Sequence, residues 1–312
     1  PGAAVKIMHN NHYMLYLSGD LRLPSIIVWV GRGGYEREIN GWGTQAAMTG
    51  WPAARDRKNP DRMEKYFTTL ITAPYDVQGT AVMTWRYLAG KKPDDSFGYI
   101  PAIRRVRRMS PANRSDSFVG SDLTMDDSNG YDGKVAAFEW KLLGQQEAIV
   151  PFYDPNPVTV VQNAEGEWQT TRDAKETIYG YRKDGWQGAP WAPTNDIWVK
   201  RPVYILEIES KDKYYNYGTC YLWVDRETYF CNYKVIYDRS GEYWRTMYAV
   251  DGGCMSKDKE PKWIALTHQT MVCDRTDHAT VHEGFHPKFI QAFYAQLDLN
   301  AFSLAGFTAY CK

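Results

Sequence analysis

The sequence predicts a mainly β protein with peripheral helices, folded as one domain over residues 1–312. Two observations carry this prediction. The 312 residues include 23 Tyr and 12 Trp, which favour strands, and several segments alternate apolar and polar residues between short polar turns. A chain of this length hides about 75% of its unfolded surface on folding, so it can build a core without disulfides.

The N-terminal half is predicted to begin with a helix. Residues 5–17 space their apolar side chains at helical intervals. A second helix is predicted after Asn59, because Asn59 is a good N-cap and Pro60 would occupy the first helical position. Strand candidates bounded by Gly, Pro or Asp clusters lie at 25–30, 79–88, 102–109 and 136–144.

The C-terminal half carries the clearest strand pattern. Period-2 segments at 203–210, 217–224, 229–237 and 242–250 are joined by short polar turns, which predicts a β-meander. Residues 154–196 break this pattern and are predicted to be a long loop insertion with a functional role. Pro287 is predicted to open a helix over 287–297, where an apolar stripe has helical spacing.

Composition and charge exclude several classes of protein. The chain has 37 basic and 37 acidic residues, and this zero net charge argues against a general nucleic-acid binder. Apolar runs reach only five residues, as at 26–30, which is far too short for a transmembrane helix. Because Pro1-Gly2 is not a natural start, we expect an N-terminally truncated chain that has lost its leader.

Five cysteines occur, all from Cys220 onward, and no C-x-x-C motif is present. A disulfide between Cys220 and Cys231 is predicted across the meander hairpin. A two-residue loop at 225–226 would place them directly opposite each other, whereas a loop over 225–228 would make them diagonal neighbours. The alternative is two buried thiols that pack as small apolar groups.

Residues 282–286 match the H-E-x-x-H pattern of zinc hydrolases, with His278 four residues earlier. Such a site needs both His on one helix face, but Gly284 interrupts the motif and Pro287 would start a helix only after it. We therefore predict a polar loop, with no metal and no cofactor. A metal-dependent hydrolase remains the alternative, using His278, His282, Glu283 and His286.

Residues 122–132 are rich in Asp and resemble a calcium loop, but they do not fit the EF-hand register. We predict that these carboxylates cap turns and pair with the upstream arginines Arg104, Arg105, Arg107 and Arg108, for which an anionic-headgroup role stays open. No G-x-S-x-G elbow, P-loop or Gly-rich dinucleotide turn is present. The sequence therefore does not predict an enzyme.

Five strings in fixed order carry a family resemblance: IRRVRR (103–108), SDLTMDDSNGYDG (121–133), FEWKLLGQQEAIVPFY (138–153), YLWVDRETY (221–229) and IYDRSGEYWR (236–245). Together they resemble the proteobacterial family catalogued as domain of unknown function 1329, periplasmic proteins similar to outer-membrane lipoprotein-sorting proteins. The resemblance covers about residues 5–300. The sequence departs from the family in its insertion at 154–196 and its five cysteines, and we expect that it also lacks the family's N-terminal portion.

The resemblance implies a strongly curved antiparallel sheet, a half-barrel, with helices against its concave face. Related folds hold acyl chains between the sheet and the helices, and family members often lie beside genes for exporters of the resistance-nodulation-division type. No catalytic residue is established for the family, so none can be transferred to this chain.

The leading functional prediction is a periplasmic binding or shuttle protein for a lipid or another hydrophobic molecule, working with an inner-membrane transporter. An apolar pocket of several hundred Å³, typical of ligand sites, is expected between the sheet and helix 5–17 or 287–297. A structural or adaptor module of the cell envelope is a further alternative. Strand parity and aromatic size select the predicted ligand-binding wall: Trp85, Tyr87, Phe138, Trp140, Tyr204, Tyr221, Trp223 and Trp244.

Overall fold

The computed structural model describes residues 2–260 and 262–311, so Pro1, on which the expected truncation partly rests, lies outside it. The helices of this part of the chain are α1 (Gly2–Tyr16) and α2 (Leu304–Tyr310). Its strands are β1 (Leu21–Gly31), β2 (Gly34–Ala47), β3 (Met63–Ala73), β4 (Ala81–Tyr87), β5 (Asp95–Ile100), β6 (Arg105–Met109), β7 (Phe138–Phe152), β8 (Val158–Gln162), β9 (Trp168–Thr170), β10 (Ile197–Ser210), β11 (Cys220–Asp225), β12 (Cys231–Tyr237), β13 (Tyr243–Ser256), β14 (Lys262–Cys273), β15 (His278–Glu283) and β16 (Ala292–Phe293).

One large curved sheet organises the molecule. Its main path runs β6-β5-β4-β3-β2-β1-β15-β14-β13-β12-β11-β10-β7, with antiparallel neighbours throughout. The prediction of a mainly β fold built on a strongly curved sheet with few helices is confirmed. The face covered by α1 and by residues 118–131 is called the concave face below, and the opposite one the outer face.

Helix α1 lies on the concave face and confirms the helix predicted at 5–17. Its buried side chains, among them Ala4, Ile7 and Met8, recur at helical spacing and therefore form one stripe. This stripe packs against apolar side chains of the meander strands, such as Leu206 and Leu222. Burial of this stripe holds the helix in place, since an isolated helix of this length is marginal in water.

The segment 154–196 supplies two strands rather than one long loop. β8 pairs in parallel with β13 and antiparallel with β9, β9 pairs with β16, and β16 pairs with β1. Because β1, β15, β14 and β13 are also neighbours, these strands close a ring around a core that includes Val160, Val250 and Phe293. Further along, Tyr179 packs on the outer face against apolar side chains of β1 and β15.

The meander strands are confirmed, but their hairpin register differs from both predicted ones. Cys220 faces Ile236, and Cys231 faces Val224 after a bulge, because the turn occupies residues 225–230. The two cysteines therefore lie four strand positions apart, roughly 13 Å at ~3.3 Å per residue, beyond disulfide reach. The predicted disulfide is wrong, and both thiols are buried and free.

Two of the predicted helices are wrong. Asn59 closes a turn instead of capping a helix: its side chain accepts a hydrogen bond from the Met63 N–H and donates one to the Met63 carbonyl, just before β3 begins. The segment after Pro287 contains the short strand β16, which bridges β1 and β9. Its aromatic side chains, Phe289 and Phe293, pack into two different clusters.

Candidate functional site

A cavity of about 120 Å³ lies between the concave face and its cover. Strands β1, β2, β3, β14 and β15 form the floor, and the cover consists of Leu15 at the end of α1 together with residues 118–129. Alternation along each strand points every second side chain into this space. The apolar lining includes Leu15, Leu21, Leu23, Ile27, Phe67, Phe118, Leu123, Met125, Leu266 and Phe293.

The cavity lining carries no charge. Among the described residues, no Asp, Glu, Lys or Arg side chain borders the cavity, and its one titratable group is His282. Burial lowers the pKa of His282 to about 4, so the imidazole is neutral near neutral pH. Two buried lining atoms, Gln45 Nε2 and His282 Nδ1, have no hydrogen-bond partner. The cavity therefore suits an apolar group that brings an uncharged polar atom.

A wider groove of about 720 Å³ opens beside the cavity, between α1 and the β13–β14 hairpin. Its walls include Tyr13 and Leu17 on the helix and Met255 and Trp263 on the hairpin. Ile264 borders both the groove and the cavity. The groove thus matches the predicted position, between the sheet and helix 5–17, and the predicted size of several hundred Å³.

A buried ion network ties the cover to the sheet next to the cavity. Asp132, in the segment after the cover, lies 2.5 Å from Lys65, 3.1 Å from Arg86 and 3.2 Å from Arg114. Burial alone would raise the pKa of Asp132, but these cations outweigh it and hold that pKa well below its usual range. Lys65 also donates to Gln45 Oε1, so the network helps to orient a cavity side chain.

Two acidic side chains of the cover itself, Asp122 and Asp127, also pair with the sheet. Asp127 lies 2.7 Å from Lys234, and Asp122 lies 2.5 Å from His278. The hydrogen bond and charge of Asp122 raise the pKa of His278. The expectation that these carboxylates pair with the arginines of 104–108 is wrong, because those arginines lie exposed on edge strand β6 or, for Arg104, directly before it. The ion pairs of the acidic segment therefore hold the cover against the sheet.

The H-E-x-x-H segment is divided between the two faces of the sheet. His278–Glu283 forms strand β15, not the expected polar loop. His282 borders the cavity, whereas Glu283 lies on the outer face, 3.4 Å from Arg182 and 3.9 Å from His286. No group of three His, Cys, Asp or Glu among residues 2–260 and 262–311 could hold a metal ion. The structure does not bring the hydrolase set together.

Four of the predicted wall residues lie in the concave core. Phe138 and Trp140 on β7 pack against Tyr131, which follows the cover, and Tyr204 and Trp244 pack at the edge of the same cluster. They share this cluster with α1, but they do not border the cavity or the groove.

The other four predicted wall residues lie on the outer face. Trp85 donates a hydrogen bond to the Phe302 carbonyl, and Tyr87 packs in a neighbouring cluster. Tyr221 and Trp223 alternate with the buried Cys220 and Leu222, so they point away from the concave core. The assignment of all eight side chains to a ligand wall stays a prediction.

Sequence reasoning missed the residues that do border the cavity. Leu23, Ser25 and Ile27 alternate with side chains that point to the outer face, and Gly43 and Phe67 lie opposite on β2 and β3. The period-2 pattern around β1 was the available signal. Selecting residues by aromatic size favoured side chains that fill space over those that border it.

Solved structures share this fold. A domain from Vibrio parahaemolyticus named for outer membrane lipoprotein sorting superposes with a TM-score of 0.63 at 16% identity, covering 98% of this chain and 99% of that one. A DUF1329 family protein from Desulfovibrio piger gives 0.60 at 17% identity and 97% coverage of both chains. A LolA superfamily protein from Nitrosomonas europaea gives 0.55 at 12% identity, covering 97% of this chain and 98% of that one.

Sequence comparison assigns the family. No curated protein matches this chain. Neither α-helix in the described part of the chain has the length and apolar character needed to span a bilayer. The family described as "Protein of unknown function (DUF1329)" matches residues 1–285, most of the sequence. The chain therefore belongs to this family, in agreement with the resemblance found in its sequence motifs.

Proposed function

We propose that this protein is a periplasmic binding or shuttle protein that holds a hydrophobic ligand between α1 and the concave face. The observation that carries the proposal is the uncharged, largely apolar cavity. It lies under a cover that ion pairs hold to the sheet, and it adjoins a wide groove. Apolar pockets with a few placed polar atoms are typical of small-molecule sites. Binding, rather than catalysis, fits a lining without a nucleophile beside a general base.

The shape of the site suits an elongated ligand. The cavity of about 120 Å³ is smaller than a lipid needs, but the groove of about 720 Å³ lies beside it, and Ile264 borders both. One part of a chain-like ligand would enter the cavity, where Gln45 and His282 offer uncharged nitrogens, and the rest would lie along α1. An ionised head group would have no counter-charge in the cavity and is disfavoured there.

The name of the Vibrio parahaemolyticus domain, which refers to lipoprotein sorting, supports a lipid-handling role for this fold. The periplasmic location and an exporter of the resistance-nodulation-division type as partner rest on the family resemblance. Cross-linking in intact cells tests the partner: an exporter among the products supports it, and products without one contradict it.

Filling the cavity tests the binding site. Gly43 borders the cavity, and a Cβ there would meet Phe67 ring atoms at an ordinary 3.6 Å. Gly43→Leu should therefore fold, occupy the cavity and weaken binding of the fluorescent hydrophobic probe N-phenylnaphthylamine at least tenfold. Gly144→Leu is the matched control, because a Cβ at Gly144 meets nothing within 4 Å and lies outside the cavity. Equal probe affinity in both variants would contradict the proposed site.

A further inference from the structure

Strand β6 forms one edge of the sheet and carries three arginines, and a fourth, Arg104, directly precedes it. Arg104, Arg105, Arg107 and Arg108 are all exposed. Of these, Arg108 pairs with Asp95; the other three have no carboxylate partner among the described residues. The acidic segment that could have neutralised them is buried against other cations. The edge is therefore a local positive surface on a chain with zero net charge.

Apolar side chains protrude at the same edge. Ile100, the last residue of β5, is 50% exposed and pairs with Arg105 on β6, so the two side chains share a face. Ile103, in the turn that joins these strands, is 40% exposed and directly precedes Arg104. Guanidinium groups and isoleucine side chains thus project together from the β5–β6 turn.

We propose that this edge, defined by Ile100, Ile103, Arg104, Arg105 and Arg107, docks the protein on a membrane surface rich in anionic phospholipid. Arginine pairs with phosphate through two parallel hydrogen bonds, and basic side chains near an anionic bilayer each strengthen binding roughly fivefold. Isoleucine side chains beside them can enter the head-group region.

A simpler explanation is that the arginines only prevent this edge strand from pairing with a strand of another chain. A lone charge would suffice for that purpose, and it would not require exposed isoleucines beside it. An acidic protein would satisfy the arginines but would leave the isoleucines without a partner unless it also offered an apolar surface. The combination of unpaired cations and protruding aliphatic side chains therefore favours a lipid surface.

Vesicle flotation tests the proposal. The full chain should float with vesicles of phosphatidylcholine mixed with phosphatidylglycerol, should float far less with phosphatidylcholine alone, and should dissociate as salt is raised. Arg104→Ser/Arg105→Ser/Arg107→Ser should lower the affinity for the anionic vesicles by about a hundredfold, given roughly fivefold per side chain. Ile103→Ser should weaken binding without removing its dependence on salt.

A charge-matched control separates this surface from overall charge. Arg55→Ser/Lys58→Ser/Lys257→Ser removes the same charge from exposed positions outside β6 and should retain vesicle binding. Equal losses in the two triple variants would overturn the proposal. Failure of the wild-type chain to float would also overturn it, and would leave an acidic protein as the partner of this edge. Probe binding in the cavity is measured separately, so the two proposals can fail independently.

Discussion

The carboxyl group of Glu283 is buried in the core on the outer face of the sheet and makes no hydrogen bond. Its side chain is about 1% exposed, and both oxygens are buried and unpartnered. The nearest cation is Arg182, at 3.4 Å. Burial, only partly offset by Arg182, raises the pKa of Glu283 from 4.5 to about 7. Folding therefore favours the protonated, neutral form of this side chain.

This shift makes the stability of the protein depend on pH. Between 4.5 and about 7 the folded chain holds a proton at Glu283 that the unfolded chain releases, so this group's contribution is present below pH 4.5 and lost as pH rises through 7. At about 1.4 kcal/mol per pH unit, the difference between the pKa values of Glu283 in the unfolded and folded chain corresponds to about 3 kcal/mol of folding stability. Glu283→Gln removes the titration and should make the protein more stable at alkaline pH.

Urea denaturation followed by tryptophan fluorescence measures the effect. From pH 5 to pH 8, the stability of Glu283→Gln relative to wild type should increase by about 2–3 kcal/mol. Groups that titrate in both proteins, such as His282, cancel in this difference. Glu165→Gln, at an exposed turn position, should show no such increase. A constant difference between Glu283→Gln and wild type at both pH values would refute the reasoning.

The other predictions concern the cover and the thiols. Asp132→Asn should cost about 3–5 kcal/mol in urea denaturation, because it leaves buried cations without their shared carboxylate; a loss below about 1 kcal/mol would contradict a tightly paired network. Asp122→Asn should lower the pKa of His278, measured by NMR titration; an unchanged pKa would contradict their pairing. Cys220 and Cys231 should both alkylate without reductant in denaturant; a disulfide-linked peptide pair would contradict the observed register.

Local sequence patterns predicted the elements whose packing is also local. The meander strands alternate with period 2 and are joined by short turns, and α1 shows one apolar stripe. Strand β16 could not be predicted in this way. The four-residue spacing between Phe289 and Phe293 fits one face of a strand as well as one face of a helix. This segment becomes a strand because it pairs with β1 and β9, which lie more than 100 residues away in the sequence.

The ion pairs of the cover depend on similarly distant partners. Asp127 pairs with Lys234, which lies 107 positions away in the sequence. The arginines that are close in sequence therefore did not indicate its partner. The cavity was missed for another reason. Large aromatic side chains such as Trp140 fill the core, whereas small residues such as Ser25 and Gly43 leave space unfilled. A search for small residues at alternating strand positions would have come closer to the site.

Analysis of what the protein carries from its native compartment tests the central claim most directly. Wild type and Gly144→Leu, purified from the periplasm and extracted with organic solvent, should each yield a near-stoichiometric hydrophobic compound in the mass spectrometer. Gly43→Leu, with its cavity filled, should yield little of it. An empty wild-type protein, or the same compound in equal amounts from both leucine variants, would contradict the account.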